Sequence, residues 1–514
     1  MSSPPSKENL EIQTYSVSPE DEQKQVANIS KVDDAVAFLL ENEGKYQPLT
    51  EAEERWAVKK TDFILLPCLF WTATMGAVDK VSLGTAAIFG IKQSNHLTSH
   101  QYAWTSSILF FGSLVGMWPM SYLVQKYRPG RVIACASALW SCFTLLQCAC
   151  HNFAGLAALR FLMGFVECSI VPSCSLIISV FYLKKESPHR TALVFAFMSS
   201  VINGGLSSLA SVFGNAIPTW KYIYLLVGSI SFVWSCAMIF FLPDSPINAK
   251  FLTTREKVFM VRRVASNSTG VASNTWKWDQ VAEAFMDPRT YIVMMFNLGI
   301  NLPNGALSTY SSIIIKNLGF SSVKSSLMGI PTGVIATIAT VFFTWLGARW
   351  TNRRSASAML SLIVPIIGGI VCYCSPHSNT AAQLVGLYFM YFYFASYVVM
   401  TSLVQANTAG NTKKAVTYGF NYLGYAAGAI TGSQIDTTSS KKVFAAMLSG
   451  YCICMFLALV YWIVTAWMNK KKKAVLTAEA EETNEKEIVH VEGLEQDQIL
   501  DITDFQQKHF FYIT

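Results

Sequence analysis

Long runs of apolar residues, broken at short intervals by polar and basic clusters, dominate the chain between residues 62 and 468. A helix needs about 20 mostly apolar residues to cross a ~30 Å hydrocarbon core. The runs fall near 62–90, 102–124, 131–150, 152–182, 191–213, 220–243, 290–314, 324–347, 355–374, 380–405, 414–435 and 443–468. This pattern predicts an all-α membrane protein with twelve transmembrane helices. The polar stretch 244–289 separates two groups of six. Five regions follow: a tail over 1–60, a six-helix bundle over 61–243, a central loop over 244–289, a second bundle over 290–468 and a tail over 469–514.

The N-terminal tail is polar (SSPPSKENLEIQTYSVSPEDEQKQ) and lacks a basic stretch followed by an apolar run, so it does not read as a cleaved signal peptide. A short helix is predicted at VDDAVAFLLENEGKY, where Val36, Leu39 and Leu40 share a face. From residue 474 the chain turns acidic and ends in DITDFQQKHFFYIT, which reads as a solvated regulatory or trafficking tail.

Composition narrows the class. Of 514 residues, 52% are hydrophobic and 14% charged, against about 25% charged in soluble domains. That balance excludes a disordered scaffold and argues against a cytosolic enzyme. The net charge of +7 would suit nucleic acid only if the basic residues formed one patch. They lie instead in short clusters between apolar runs, so no nucleic-acid partner is expected and the lipid bilayer is. Loops after even-numbered spans carry eighteen Lys and Arg, including Lys126, Arg128, Arg131, Arg353, Lys413 and Lys414, whereas loops after odd-numbered spans carry six. The positive-inside bias therefore puts both termini and the central loop in the cytosol. Asn28 and Asn267 match the glycosylation sequon on that cytosolic side and read as chance matches. All twelve cysteines fall in or at the ends of apolar segments and read as small hydrophobes. All seven histidines lie in loops, segment ends or tails, so no metal or cofactor is expected.

Charged side chains inside a bilayer are costly and mark function by default. Asp79 and Lys80 are adjacent in the first span (WTATMGAVDKVSLGTAA), and Arg160 and Glu167 lie in the fourth (LAALRFLMGFVECSIVP). Seven residues apart, Arg160 and Glu167 share a helix face at two turns' separation, too far to bond to each other. A Lys and an Arg facing one cavity could neutralise a carboxylate, with Arg able to make two-point contact. A buried Glu167 is a candidate proton carrier whose protonation would release the neighbouring cation for substrate. Lys80 and Arg160 are thus candidates for substrate binding, and Glu167 and Asp79 for proton coupling. The alternative is that the four merely lock helices together.

The amides are a weaker signal. Span seven (FNLGINLPNGALSTY) carries Asn297, Asn301 and Asn304 at helical spacing, with Pro303 and Gly305 among them; the helix there is either interrupted, or kinked with its amides bonded to neighbouring backbone. Asn203 and Asn421 are single amides in spans five and eleven. Interrupted helices expose polar groups where a cavity needs them, so Asn203, Asn301, Asn304 and Asn421 join the candidate substrate-binding set. Tyr388, Tyr391, Tyr393 and Tyr397 in span ten read as interface belt or packing, YLVQKYRPGR as a topology signal, and GYAAGAITG as a close helix contact.

These segments together resemble the fungal allantoate permease group of the anion:cation symporters, within the major facilitator superfamily. The resemblance spans residues 60–470. It rests on the Asp-basic pair before VSLGTAA, on NFAGLAALRFLMGFVE, on FFLPDSPINAKFLTTREK, on NLPNGALSTYSSIIIKNLGF and on TAGNTKKAVTYGFNYLGYAAGAITG. The ending DITDFQQKHFFYIT also resembles the tails of some fungal members. The resemblance implies the major facilitator fold, alternating access and proton-coupled uptake of a small organic anion. It carries the first-span pair onto Asp79 and Lys80, and the fourth-span pair onto Arg160 and Glu167. Lys80 stands where the wider family often has Arg, and SQIDTTSSKK lacks the customary Pro-Arg/Lys-Tyr pattern.

The expectation is a symporter importing a small organic anion such as allantoate or ureidosuccinate. Alternatives are a vitamin carboxylate such as nicotinate, a sulfur-containing anion, or a nutrient sensor that keeps the fold without flux. A membrane enzyme is disfavoured, because no His–Asp or paired-carboxylate cluster lies at a membrane surface. The partners are the anion, H+ and lipid; a single chain is expected to suffice, in the plasma membrane, with an internal membrane as the alternative.

Overall fold

A computed structural model describes residues 38–39, 41–42, 45–46, 49–183, 186–194, 198–213, 216–265, 277–350, 352–376, 378–435, 440–483, 503–507 and 510–514. Val36, Leu40, both sequons and the segment 436–439 lie outside the described residues.

The first half comprises α1 (Glu51–Ile88), α2 (Ser99–Lys126), α3 (Pro129–Leu146), a fourth pass made of α4 (Phe153–Glu167) and α5 (Ile170–Phe181), a fifth made of α6 (Ser187–Val194) and α7 (Ser199–Ala210), and α8 (Thr219–Phe241). Two helices follow in the central loop, α9 (Thr254–Ala265) and α10 (Trp278–Met286). The second half comprises α11 (Pro288–Asn317), α12 (Ile330–Arg349), α13 (Arg354–Cys374), a tenth pass made of α14 (Thr380–Met390) and α15 (Tyr393–Asn407), α16 (Asn411–Ser433) and α17 (Ser440–Thr483). The described residues therefore make twelve helical passes, and both ends of the passing region lie on one face, called here the terminal face.

Local chemistry explains where these helices start. Thr50 and Thr98 each close a capping box, with Glu53 and Gln101, so α1 begins well before its apolar run. The Asn152 side chain caps α4 and the Asp287 carboxylate caps α11. At the other end of the chain α17 runs past residue 468 to Thr483.

Among the described residues nine helical spans are long and apolar enough to cross a membrane on composition alone. The fifth, seventh and eleventh passes are not among them. The fifth is divided into short pieces, and α11 and α16 are diluted by amides, hydroxyls and glycines. Those three passes hold every asparagine of the candidate set, so polarity is concentrated where one half faces the other.

Each half has its own core. Leu65, Leu69, Leu109, Trp140, Met163 and Phe181 bury together in the first, and Phe296, Ile300, Leu362, Met390, Met447 and Tyr451 in the second. Large apolar side chains such as Trp118, Phe240, Phe241, Ile338, Phe456 and Trp467 point outward, as a lipid-facing surface requires. The GYAAGAITG stripe of α16 lies directly against α11 carbonyls, the close helix contact that small residues permit in a bilayer.

Candidate functional site

The structure brings the four intramembrane charges together and divides them into two layers. In the outer layer Lys80 Nζ pairs with Glu167 Oε1 at 2.8 Å. The Lys80 side chain is 30% exposed and that of Glu167 only 5%, so the lysine is the member a solute can reach. Glu167 Oε2 has no hydrogen-bond partner among the described residues.

The inner layer is built around Arg160, which is buried. Its Nε donates to Gln147 Oε1 at 3.0 Å, its Nη2 to the Tyr224 hydroxyl at 2.9 Å, and its Nη1 to the Asp79 main-chain carbonyl at 3.5 Å. Two turns of α4, about 10 Å, thus separate two different partner sets. In this conformation Arg160 serves its own half of the protein and does not share an open surface with Lys80. The Asp79 carboxylate is buried without a hydrogen-bond partner among the described residues; Glu167, Arg160, Thr144 and Trp140 surround it electrostatically.

Across from Lys80, the second half contributes Tyr397 of α15 and Tyr422 and Tyr425 of α16, all within electrostatic reach of the ammonium. Tyr425 meets Phe110 of α2 edge-on, with ring centroids 6.0 Å apart. Sequence reading put the span-ten tyrosines in a belt or in packing and did not single out Tyr422 or Tyr425. Tyrosine serves equally at lipid interfaces and in polar cavities, so composition alone gives no signal.

The amides form a connected row. α11 stays continuous through Pro303 and Gly305, and Asn297 and Asn301 each bond to the backbone one turn back, so of the two readings the interrupted helix is not formed. Asn301 Nδ2 donates to the Asn297 carbonyl at 2.8 Å, Asn304 Nδ2 to Asn301 Oδ1 at 2.9 Å, and Tyr393 OH to Asn304 Oδ1 at 2.8 Å. Asn297 Nδ2 also donates to Asn421 Oδ1 at 3.3 Å, while Asn421 Nδ2 is buried with no partner among the described residues. Asn203 lies apart: its Nδ2 donates to Thr85 Oγ1 at 2.7 Å within the first half.

The two halves are fastened together at the end away from the terminal face. Tyr102 OH donates to the Thr309 carbonyl at 2.8 Å, and Lys316 Nζ and Ser322 Oγ both donate to the Ile88 carbonyl at 2.8 Å. Ser106, Thr309 and Ser433 share hydroxyl bonds there, and Gln434 Nε2 donates to Ser107 Oγ at 2.9 Å. Two glycines permit this approach. A Cβ on Gly84 would lie 2.9 Å from the Ser308 carbonyl oxygen, and one on Gly204 2.6 Å from Ile330 Cγ1.

Among the described residues, the ion pairs on the terminal face stay within one half or bind the central loop or the C-terminal segment to it. Arg190 clamps Asp62 through Nε at 2.7 Å and Nη2 at 2.9 Å, and Lys60 pairs with Glu256 of α9 at 3.2 Å. The YRPGR loop is more than a topology signal, because Gly130 N donates to Asp244 Oδ1 at 3.0 Å and docks the loop on the exit of α8. Lys413, counted above as a loop cation, is fully buried beside Asp287 and Asp504. The twelve cysteines are free thiols.

Comparison with known proteins bears on the family and the fold. The family described as Major Facilitator Superfamily matches residues 68–433. The chain is similar to the MFS-type transporter cnsL of Penicillium expansum, 33% identical over 430 residues that cover 83% of this chain and 84% of the relative. It is also similar to the allantoate permease of Saccharomyces cerevisiae, 27% identical over 506 residues covering 94% and 90%. Its fold is that of a D-xylose-proton symporter crystal structure, with a TM-score of 0.57 at 14% identity, over 77% of this chain and 97% of that one.

Proposed function

This chain belongs to the Major Facilitator Superfamily, and we propose that it is a proton-coupled importer of a small organic anion, of the allantoate permease group. It is a multi-pass membrane transporter and not an enzyme. The observation that carries the proposal is the Lys80–Glu167 pair at 2.8 Å, with the lysine the more exposed partner. With Glu167 ionised, its carboxylate occupies the only ammonium of the four charges that a solute can reach. Protonation removes that competitor, and a substrate carboxylate takes its place on Lys80. The cargo and the proton then bind as one event, which is the requirement for coupling rather than leak.

Arg160 and Asp79 position this pair from behind. The Tyr393–Asn304–Asn301 row and the unbonded Asn421 Nδ2 form a neutral hydrogen-bonding wall on the second half. Such a wall suits an anion whose other end carries amide or ureido groups, which supports allantoate or ureidosuccinate ahead of an apolar carboxylate. The basic loops put the terminal face in the cytosol, so closure of the opposite end corresponds to a state closed to the outside. The plasma membrane is the proposed location.

Proteoliposomes with an internal pH dye test the proposal. Adding the transported anion should acidify the lumen, and Glu167→Gln should abolish the acidification while leaving the protein folded and able to exchange substrate. Gradient-driven uptake unchanged in Glu167→Gln would overturn the coupling role. Lys80→Ala should raise the half-saturating anion concentration by at least tenfold; an unchanged value would return Lys80 to helix locking.

A further inference from the structure

On the terminal face of the second half, the ends of α11, α15 and α16 and the stretch of α17 around Asn469 and Lys472 converge on the last residues of the chain. Asp504 is fully buried and pairs with Arg289 Nη2 at 2.5 Å and Lys413 Nζ at 2.8 Å. Asp287 faces the same two cations, at 2.5 Å from Arg289 and 3.4 Å from Lys413. Without Asp504, the described carboxylates facing the two buried cations would be Asp287 and, at 3.6 Å from Lys413, the partly exposed Glu283. Removing one partner from a buried ion cluster is strongly unfavourable away from water.

The aromatic residues around Asp504 complete the fit. Lys413 Nζ lies 3.6 Å from the centroid of the Phe505 ring, and the Arg289 guanidinium 4.0 Å from that of Tyr512, both within cation–π range. Tyr512 OH donates to Asp504 Oδ2 at 2.9 Å. The backbone of the segment is held as well. Lys472 Nζ donates to the carbonyls of Asp504, Gln507 and Phe510 at 2.5, 3.0 and 3.1 Å. Asn469 and Asn407 bond in both directions to the main chain of Tyr512 and Ile513, at 2.7 to 2.9 Å. Thr514 Oγ1 reaches the Asn352 carbonyl. A solvated tail makes no such set of contacts.

We propose that Arg289, Asn407, Lys413, Asn469 and Lys472 form a binding socket for the chain's own C-terminal segment, over residues 503–507 and 510–514, and that the docked segment staples the ends of α11, α15 and α16 to α17 as one unit. Asp504 is the anchor, the aromatic rings cover the cations, and the asparagines read the extended end of the chain. The occupant is a peptide bearing a carboxylate followed by aromatic residues. The transport reading above does not require this socket, and the two can fail separately.

Hydrogen exchange on the full-length protein tests it. The amides of Tyr512 and Ile513 should exchange at least 100-fold more slowly than in a free peptide of residues 501–514; equal rates would overturn the proposal. Asp504→Asn should speed their exchange at least tenfold and leave the amides of α1 to α8 unchanged, whereas wild-type protection in that variant would remove Asp504 as the anchor. A measurement without any substitution guards against misfolding. Excess wild-type 501–514 peptide should displace the tail and raise its exchange in the unmodified protein, and the same peptide with Asp504→Asn should not. Equal effects of the two peptides, or none from either, would overturn the socket.

Discussion

Arg160 shows how one side chain can be fixed by its neighbours' chemistry more than by its charge. A buried guanidinium needs partners for its donors, and Gln147, Tyr224 and the Asp79 carbonyl supply one to each of its three nitrogens. Tyr224→Phe removes one hydrogen bond to a charged group, an interaction worth about 1.5–3 kcal/mol. It should lower the melting temperature in detergent by several degrees and slow uptake without changing the half-saturating anion concentration. A pure affinity change would instead place Tyr224 against the substrate. Lys80→Arg checks the outer layer: a planar fork in place of a point charge should alter which anions compete for uptake while keeping proton coupling. The charges were legible in the sequence because ionisable residues inside apolar spans are rare. Their partners were not, since Gln147 and Tyr224 are ordinary residues on other helices and only folding brings them to Arg160.

At the scale of elements, α11 gathers the polar chemistry of the second half along one face. Tyr393→Phe unlinks the amide row at its outer end and should raise the half-saturating concentration for a ureido anion more than for a simple carboxylate; equal changes for both would detach the row from recognition. The sequence revealed the helical spacing of Asn297, Asn301 and Asn304 but not that α11 would continue through Pro303, because neighbouring helices can support a proline in a membrane helix. The C-terminal segment is the larger difference from the sequence reading. Its acidic approach reads as solvated, and the pairing of Asp504 with Arg289 and Lys413 spans distances in sequence that no periodicity reports. Burial alone would push the Asp504 carboxyl up, but Arg289 and Lys413 hold it below its ordinary value. Asp287, Glu283, Lys472 and Tyr512 complete the surroundings. A depressed pKa in the docked state means that this contribution is complete above the ordinary carboxylate value of about 3.9 and fades only as pH falls through the depressed one. Tail protection, corrected for intrinsic exchange rates, should therefore be constant between pH 7 and 5, and a loss within that window would contradict the charge balance assigned here.

At the scale of the whole molecule, transport requires that the closed end open while the other closes, so the fastening between halves must be weak enough to release. The bonds at that end are suited to release: several run from hydroxyls, and Lys316 donates to a main-chain carbonyl, with no salt bridge to a carboxylate among the described residues. Twelve passes were legible because each must bury or expose enough apolar surface to cross a bilayer, and the division into halves followed from the polar central loop. Which end is closed was not legible, because that depends on pairs such as Tyr102–Thr309 and Lys316–Ile88 formed between halves. Gly84 provides the test. A Cβ there would meet the Ser308 carbonyl oxygen at 2.9 Å, and backbone on both sides leaves no flexible side chain to yield. Gly84→Val should therefore weaken closure without touching the charged site. In a chain whose exposed cysteines are replaced by serine, Ser433→Cys lies buried in the seam, and Gly84→Val should raise its labelling by a membrane-impermeant maleimide added from outside at least fivefold. Uptake should slow in parallel, because a protein held open to the outside returns its empty site too rarely. Faster labelling with undiminished uptake would mean that this seam is not the gate, and unchanged labelling that the halves absorb the added side chain elsewhere.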